Sequence, residues 1–110
     1  MATTYKVLGQ VNPSDTNNAN LYTVPSGTST VVSTLVLTNV TATDAVARMY
    51  VRQAAAAATT GNAIAYDVTV AANSLNTFTL GITLGATDVI TVQSATADAL
   101  AFHLFGSEIN

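Results

Sequence analysis

Residues 79–90, TLGITLGATDVI, place Gly81 and Gly85 four apart and Asp88 three beyond. The chain has 110 residues, of which three are Lys or Arg and six are Asp or Glu, so a carboxylate after two glycines stands out. Glycines allow main-chain N–H groups to converge on a phosphate, and an aspartate can hold a cation. The spacing fits neither nucleotide loop. A P-loop needs G-x-x-x-x-G-K-[ST], and no lysine follows Gly85. A dinucleotide loop needs G-x-G-x-x-G between a strand and a helix, and here the residues that follow read as a strand. The G-x-x-x-G spacing carries a membrane meaning only inside an apolar 20-mer. What remains is a structural reading. Leu80, Ile82 and Leu84 are packing residues, and Gly81 and Gly85 let the backbone turn or approach closely. Asp88 opens the next strand, tied to nearby main-chain N–H groups.

Other residue types that could do chemistry are sparse. The single histidine, His103, lies in AFHLF, where alternation gives it only Ala101 and Phe105 as same-face neighbours and no second ligand. Asp15, Asp44, Asp88 and Asp98 fall in turns, where aspartate folds onto its own backbone; Asp67 and Glu108 complete the acids. A hydrolase carboxylate pair would need two of these brought together across a cleft. No calcium-loop pattern and no G-x-S-x-G elbow is present. NVT at 39–41 matches a glycosylation sequon, read as chance in a chain whose start lacks a secretory signal. Sugar binding would need exposed aromatics, and only Tyr5, Tyr22, Tyr50 and Tyr66 could serve, since there is no tryptophan. No catalytic group, cofactor or metal is expected.

The composition narrows the partners. Net charge is −3, with Lys6, Arg48 and Arg52 the only cations. Three cations cannot form the basic stripe that displaces phosphate counterions, nor a polybasic membrane patch, so neither nucleic acid nor membrane is expected as a partner. There is no cysteine, hence no disulfide framework. Hydrophobic residues make up 49% and charged residues 8%, against about 25% charged in an ordinary soluble domain. Threonine and alanine together supply roughly a third of the chain. A neutral Thr-rich surface costs little to desolvate and suits lasting contact with other subunits. The opening MATTYKVLG reads as that of a protein made and used without export.

Period-two alternation dominates the elements that must position these residues. Strands are expected at 4–11, 21–24, 29–40, 45–52, 63–70, 75–80, 88–94 and 99–106. In 4–11, Tyr5, Val7 and Val11 share one face. In 29–40, Val31, Leu35 and Leu37 share one face and Val32, Val36 and Val40 the other, as in a strand covered on both sides. Segment 45–58 is ambiguous: Asp44 could cap a helix and Gly61 end it. A strand splits 45–52 more cleanly, with Arg48, Tyr50 and Arg52 on the wet face and Ala47, Met49 and Val51 buried. In 63–70, Ile64, Tyr66, Val68 and Val70 point inward. Pro25 presets φ and Gly27 permits positive φ in the turn PSG. Seven to eight short strands at regular spacing imply a single all-β domain over 1–110, an antiparallel β-sandwich of Ig-like or jelly-roll-like type.

The order of four short motifs is more specific than any one of them. YKVLGQVNPS, LYTVPSGTSTVVSTLVLTN, TLGITLGATDVITV and FGSEI together resemble a group of small tailed-phage virion proteins, including ones found in cyanophages. The likeness spans most of the chain and is weakest across 42–62, where the alanine run 54–58 replaces a more polar loop. The resemblance implies a small β-sandwich without catalytic residues that decorates or cements the capsid. A tail, baseplate or fibre accessory with host-glycan binding is the alternative. It implies a homo-oligomer, with a trimer favoured, that contacts the major capsid or tail proteins in a virion assembled in the bacterial cytoplasm. No family residues carry over to positions here. The extended segments 1–11 and 102–110 are the expected contacts, with Tyr5, Arg48, Tyr50, Arg52 and Phe105 as surface residues.

Overall fold

The computed structural model describes residues 2–79 and 81–110. Leu80, expected to pack, lies outside the described residues. Nine strands run in order: β1 (Thr3–Val11), β2 (Ala19–Thr23), β3 (Ser29–Asn39), β4 (Ala45–Arg52), β5 (Ala63–Val70), β6 (Leu75–Phe78), β7 (Ile82–Leu84), β8 (Val89–Ser94) and β9 (Leu100–Ile109). The sequence implied seven to eight. The extra one is β7, three residues between Gly81 and Gly85, too short to show a period. Segment 45–52 is a strand, and in the rest of the ambiguous segment 45–58 only Gln53–Ala55 forms a short 3-10-like turn, broken by the left-handed Ala54.

Pairing follows a nested order. β1 pairs with β9, β2 with β8, β3 with both β6 and β7, and β4 with β5, every pair antiparallel. The chain thus reads as one long hairpin whose two arms run side by side. Rolling that hairpin brings β9 against β3 and β8 against β4. Two sheets result, ordered β1-β9-β3-β6 with β7 also on β3, and β2-β8-β4-β5. This winding is that of a jelly roll rather than an Ig sandwich.

Between the sheets, Leu35, Leu37, Met49, Ile90, Val92, Leu100, Phe102 and Leu104 are fully buried. Each large apolar side chain so placed contributes roughly 1.5–3 kcal/mol of burial. Every buried side-chain nitrogen and oxygen among the described residues has a hydrogen-bond partner. The buried polar group with most bonds is Asn39, at the end of β3. Its Nδ2 donates to the carbonyls of Thr43 and Val70, and its Oδ1 accepts from the amide and hydroxyl of Thr41.

Bulges correct several face assignments. The β1–β9 register slips between Val7 and Gly9, and the β3–β9 register slips between Val32 and Thr34. One extra residue inverts the alternation beyond it. Tyr5 and Val7 share an exposed face as alternation implies, but Val11, beyond the bulge, leaves that face and packs against the core, and Val32, not Val31, joins Leu35 and Leu37 there. The outer face of β3 is open rather than covered, with Val31 exposed, and Val40, just past the strand, is exposed too. In β5, Tyr66 and Asp67 together oppose Arg48, with Asp67 at φ 55°. That bulge turns Ile64 and Tyr66 outward and leaves Ala65 and Val70 facing the core. Tyr50 keeps the face shared with Arg48 and Arg52, since the β4–β8 register is unbroken from Ala47 to Arg52, yet it is only 6% exposed rather than wet.

Candidate functional site

The glycine–aspartate segment forms a clamp between loops. Asp88 Oδ2 accepts from the Gly85 amide at 2.9 Å and Oδ1 from the Ala54 amide at 2.8 Å. Its own main chain binds Val24 N and Gly85 O. Arg52 grips the same loop from the other side. Its guanidinium donates to the carbonyls of Ala55 and Ala56, to Asn20 Oδ1 and to Thr91 Oγ1. Between these two charges, Ala54 and Ala55 adopt φ 52° and 60°, a left-handed conformation that costs an L-residue about 1–2 kcal/mol. The two side chains hold a strained loop, and both carboxylate oxygens of Asp88 are spent on main-chain amides.

Gly81 sits at φ 62°, which requires glycine-like freedom. Gly85 does not provide a close approach, since a Cβ there would come no nearer than 3.8 Å to Asp88 Oδ2. Ile82 packs against the core and Leu84 is buried in it. Pro25 accepts from Thr28 N across a turn in which Gly27 has φ 72°. Asp88→Ala is expected to lower unfolding stability by about 2 kcal/mol, the scale of lost hydrogen bonds to a charged group. A urea melt reads this, and a midpoint equal to the parent's would contradict it.

The other cations and aromatics do not converge. Arg48 makes a two-pronged contact to Asp67, Nε–Oδ1 2.6 Å and Nη2–Oδ2 3.2 Å, and its guanidinium lies 3.9 Å from the centre of the Tyr66 ring. The hydrogen bond to Asp67 raises the Arg48 pKa above its ordinary value, and the same bond lowers that of Asp67. A shallow depression of about 220 Å³ beside this pair is lined by Thr16, Val46, Gln93 and Ala95. Tyr66 lies on the β5 edge of one sheet and Tyr5 on the β1 edge of the other, while Tyr50 is buried. No aromatic platform forms from the four tyrosines. Tyr5 and Phe105, by contrast, meet across a groove of about 440 Å³ that Val31 and Ser107 also line.

His103 contacts Gln10 Nε2 through Nδ1 at 3.0 Å and stacks near Phe105 at 6.4 Å between rings. Among the described residues no group of three or more His, Cys, Asp or Glu could hold a metal ion.

One polar chain was not foreseen. Lys6 Nζ donates to Glu108 Oε1 at 3.1 Å, and the Tyr22 hydroxyl donates to Glu108 Oε2 at 2.5 Å while accepting from Thr30 Oγ1 at 2.8 Å. It ties β2 of one sheet to β1, β9 and β3 of the other. A lone Glu among the apolar and small residues of FHLFGSEIN was the available signal. Burial, then the bond to Glu108, push the Tyr22 phenol up to about 12. The Tyr22 bond, then Lys6, hold the Glu108 carboxyl below the usual range. The raised phenol stabilises the fold fully below about pH 10 and loses that contribution as pH rises through 12. The depressed carboxyl stabilises above about pH 4.3 and loses its contribution as pH falls through its lowered value. In a spectrophotometric titration, Glu108→Gln is expected to bring one phenol back toward 10. An unchanged titration would contradict the link.

No protein-family model matches the chain, and no curated protein does. Solved structures do. A chain in a structure of infectious bursal disease virus, Gx strain, aligns over 97% of this protein at 15% identity with a TM-score of 0.50. A chain in a structure of the Gt strain aligns over 97% at 11% identity with a TM-score of 0.51. This protein spans 31% and 32% of those two chains. At such identity the likeness is one of fold: the β-sandwich found here is similar to a part of chains in a virus structure.

Proposed function

We propose that this protein is a non-enzymatic structural component of a virion, one self-contained sandwich over 1–110 that self-associates and decorates or cements the capsid. The observation that carries the reading is the jelly-roll winding, a type that recurs in viral capsid domains. The fold likeness to virus chains supports it. The motif order supports a tailed phage assembled in bacterial cytoplasm, with the capsid favoured over the tail and the major capsid protein as neighbour. Self-association fits the neutral Thr-rich surface, and a closed ring such as a trimer would multiply a modest patch. A glycan-binding tail accessory has less support, because the tyrosines are dispersed and Tyr50 is buried.

The test is sedimentation of the purified protein with particles lacking it. Saturable co-sedimentation, at a fixed number of copies per coat subunit, is expected. Protein that stays in the supernatant at every concentration would overturn the reading.

A further inference from the structure

The free edge of β1 has a feature that none of the other sheet edges shares. Edge strand β2 carries a register slip at Leu21, and edge strand β5 is bulged at Asp67. The opposite edge of the first sheet is broken into β6 and β7. Among the described residues β1 pairs only with β9, and from Thr3 to Val7 its register is unbroken. Ala2 and Asn110 exchange both main-chain hydrogen bonds. Antiparallel ladders alternate, so Thr4 and Lys6 also bond to β9, and the N–H and C=O of Thr3, Tyr5 and Val7 point away from it. Tyr5 is 84% exposed and Val7 is exposed beside it.

We infer that a second copy of this chain docks here, β1 against β1 about a twofold axis through Tyr5. The inference rests on the repeating-subunit role proposed above and assigns it a contact. Antiparallel pairing about Tyr5 sets Thr3 opposite Val7 and Tyr5 opposite Tyr5, about six main-chain hydrogen bonds in all. Aromatic and β-branched side chains then face one another on the outer side of the joined sheet.

Charge fits the same register. The only charged side chain of β1, Lys6, falls opposite Thr4 of the second copy, and that Thr4 neighbours the second copy's Glu108. Each ammonium thus lies between its own Glu108, already at 3.1 Å, and the carboxylate of the other copy two strands away, on the order of 10 Å between backbones. The two Lys6 side chains become diagonal neighbours about 7–8 Å apart, and the ion pair each makes with its own Glu108 offsets that repulsion. Lysine on an edge usually deters pairing, but here its charge is already matched. Beyond Leu8 the strand turns toward β2, where a Cβ on Gly9 would sit 2.1 Å from the Leu21 carbonyl oxygen, so the contact is confined to the Thr3–Val7 stretch. The pairing differs from the trimer favoured on sequence, and it leaves the C-terminal segment out: β9 is bonded on both sides and offers no edge.

The chain has no cysteine, so a single one can report the register. In the full chain, Tyr5→Cys puts two sulfurs on residues about 5.5 Å apart at Cα, within disulfide reach. Val7→Cys would lie about 13 Å from its own counterpart, and Tyr66→Cys is on another edge. Under mild oxidation, Tyr5→Cys is expected to form covalent dimer while the two controls form none. Tyr5→Asp is expected to weaken self-association at least about tenfold with an unchanged melting temperature.

Dimer from Tyr5→Cys no greater than from the controls, or Tyr5→Asp associating like the parent, would overturn the pairing. Particle binding with no Tyr5→Cys crosslink would reject this contact and keep the virion role. A crosslink without particle binding would do the reverse.

Discussion

Asn39→Ala is expected to remove about 3 kcal/mol of stability, and with it roughly 15 °C of melting temperature in a domain of this size. Asn39 is 1% exposed and ends β3 where the chain leaves one sheet for the other. Its amide satisfies the carbonyls of Thr43 and Val70 at 2.8 and 3.0 Å. Its carbonyl satisfies the Thr41 amide and hydroxyl at 2.9 and 2.7 Å. Alanine leaves at least one buried carbonyl and one donor unpaired, and each costs about 1–3 kcal/mol. Asn39→Asp is expected to be comparably harmful at neutral pH, since it sets a carboxylate against two carbonyl oxygens. Chemical denaturation of the variants reads both. A loss below about 1 kcal/mol for alanine would mean that water replaces these bonds and that the turn is not locked by this side chain.

Gly106→Ala is expected to cost about 3 kcal/mol or more, at the upper end of what overpacking does. Gly106 lies in β9 between Lys6 of β1 and Val32 of β3. An added Cβ would fall 2.1 Å from the Val31 carbonyl oxygen, 3.0 Å from Val32 Cα and 3.1 Å from Leu8 Cδ1. Two of those three atoms are main chain in the middle of the sheet, so relief requires opening the β3–β9 ladder. By contrast, Gly85→Ala, where nothing lies nearer than 3.8 Å, is expected to be nearly neutral. A Gly106→Ala variant that melted with the parent would show that the close approach is not tight.

The strands were legible because alternation of β-branched residues runs through almost all of them. What alternation cannot show is where it resets. Leu8, Ser33 and the Tyr66–Asp67 pair each add a residue to one strand, and no side chain type there announces it. These points account for the differences: Val31, which alternation groups with Leu35 and Leu37 in a strand covered on both sides, is exposed while Val32 joins them, and Ile64 and Tyr66 face outward rather than inward. Tyr50 is a different case: alternation gives its face, but cannot show that this face is covered at that point. Sheet order was not readable either, because rolling the hairpin pairs β9 with β3 and β8 with β4 across long stretches of chain.

The candidate site divides the same way. The tie from Asp88 to Gly85 spans three residues, which local turn chemistry makes visible. Its tie to Ala54 spans 34 residues, and the bonds from Arg52 to Asn20 and Thr91 span 32 and 39, so the clamp they form could only be seen in three dimensions. Gly106, inside the strand pattern of FGSEI, carries the one mark of close backbone approach that the sequence offers there.

The most direct measurement of the central claim is a symmetry-averaged electron cryomicroscopy reconstruction of the intact particle of the virus whose genome encodes this chain. The account predicts density for the nine-stranded jelly roll at regularly repeated positions on the shell, with neighbouring copies meeting edge to edge through β1. A complete particle whose shell and tail density is accounted for without this chain would contradict it.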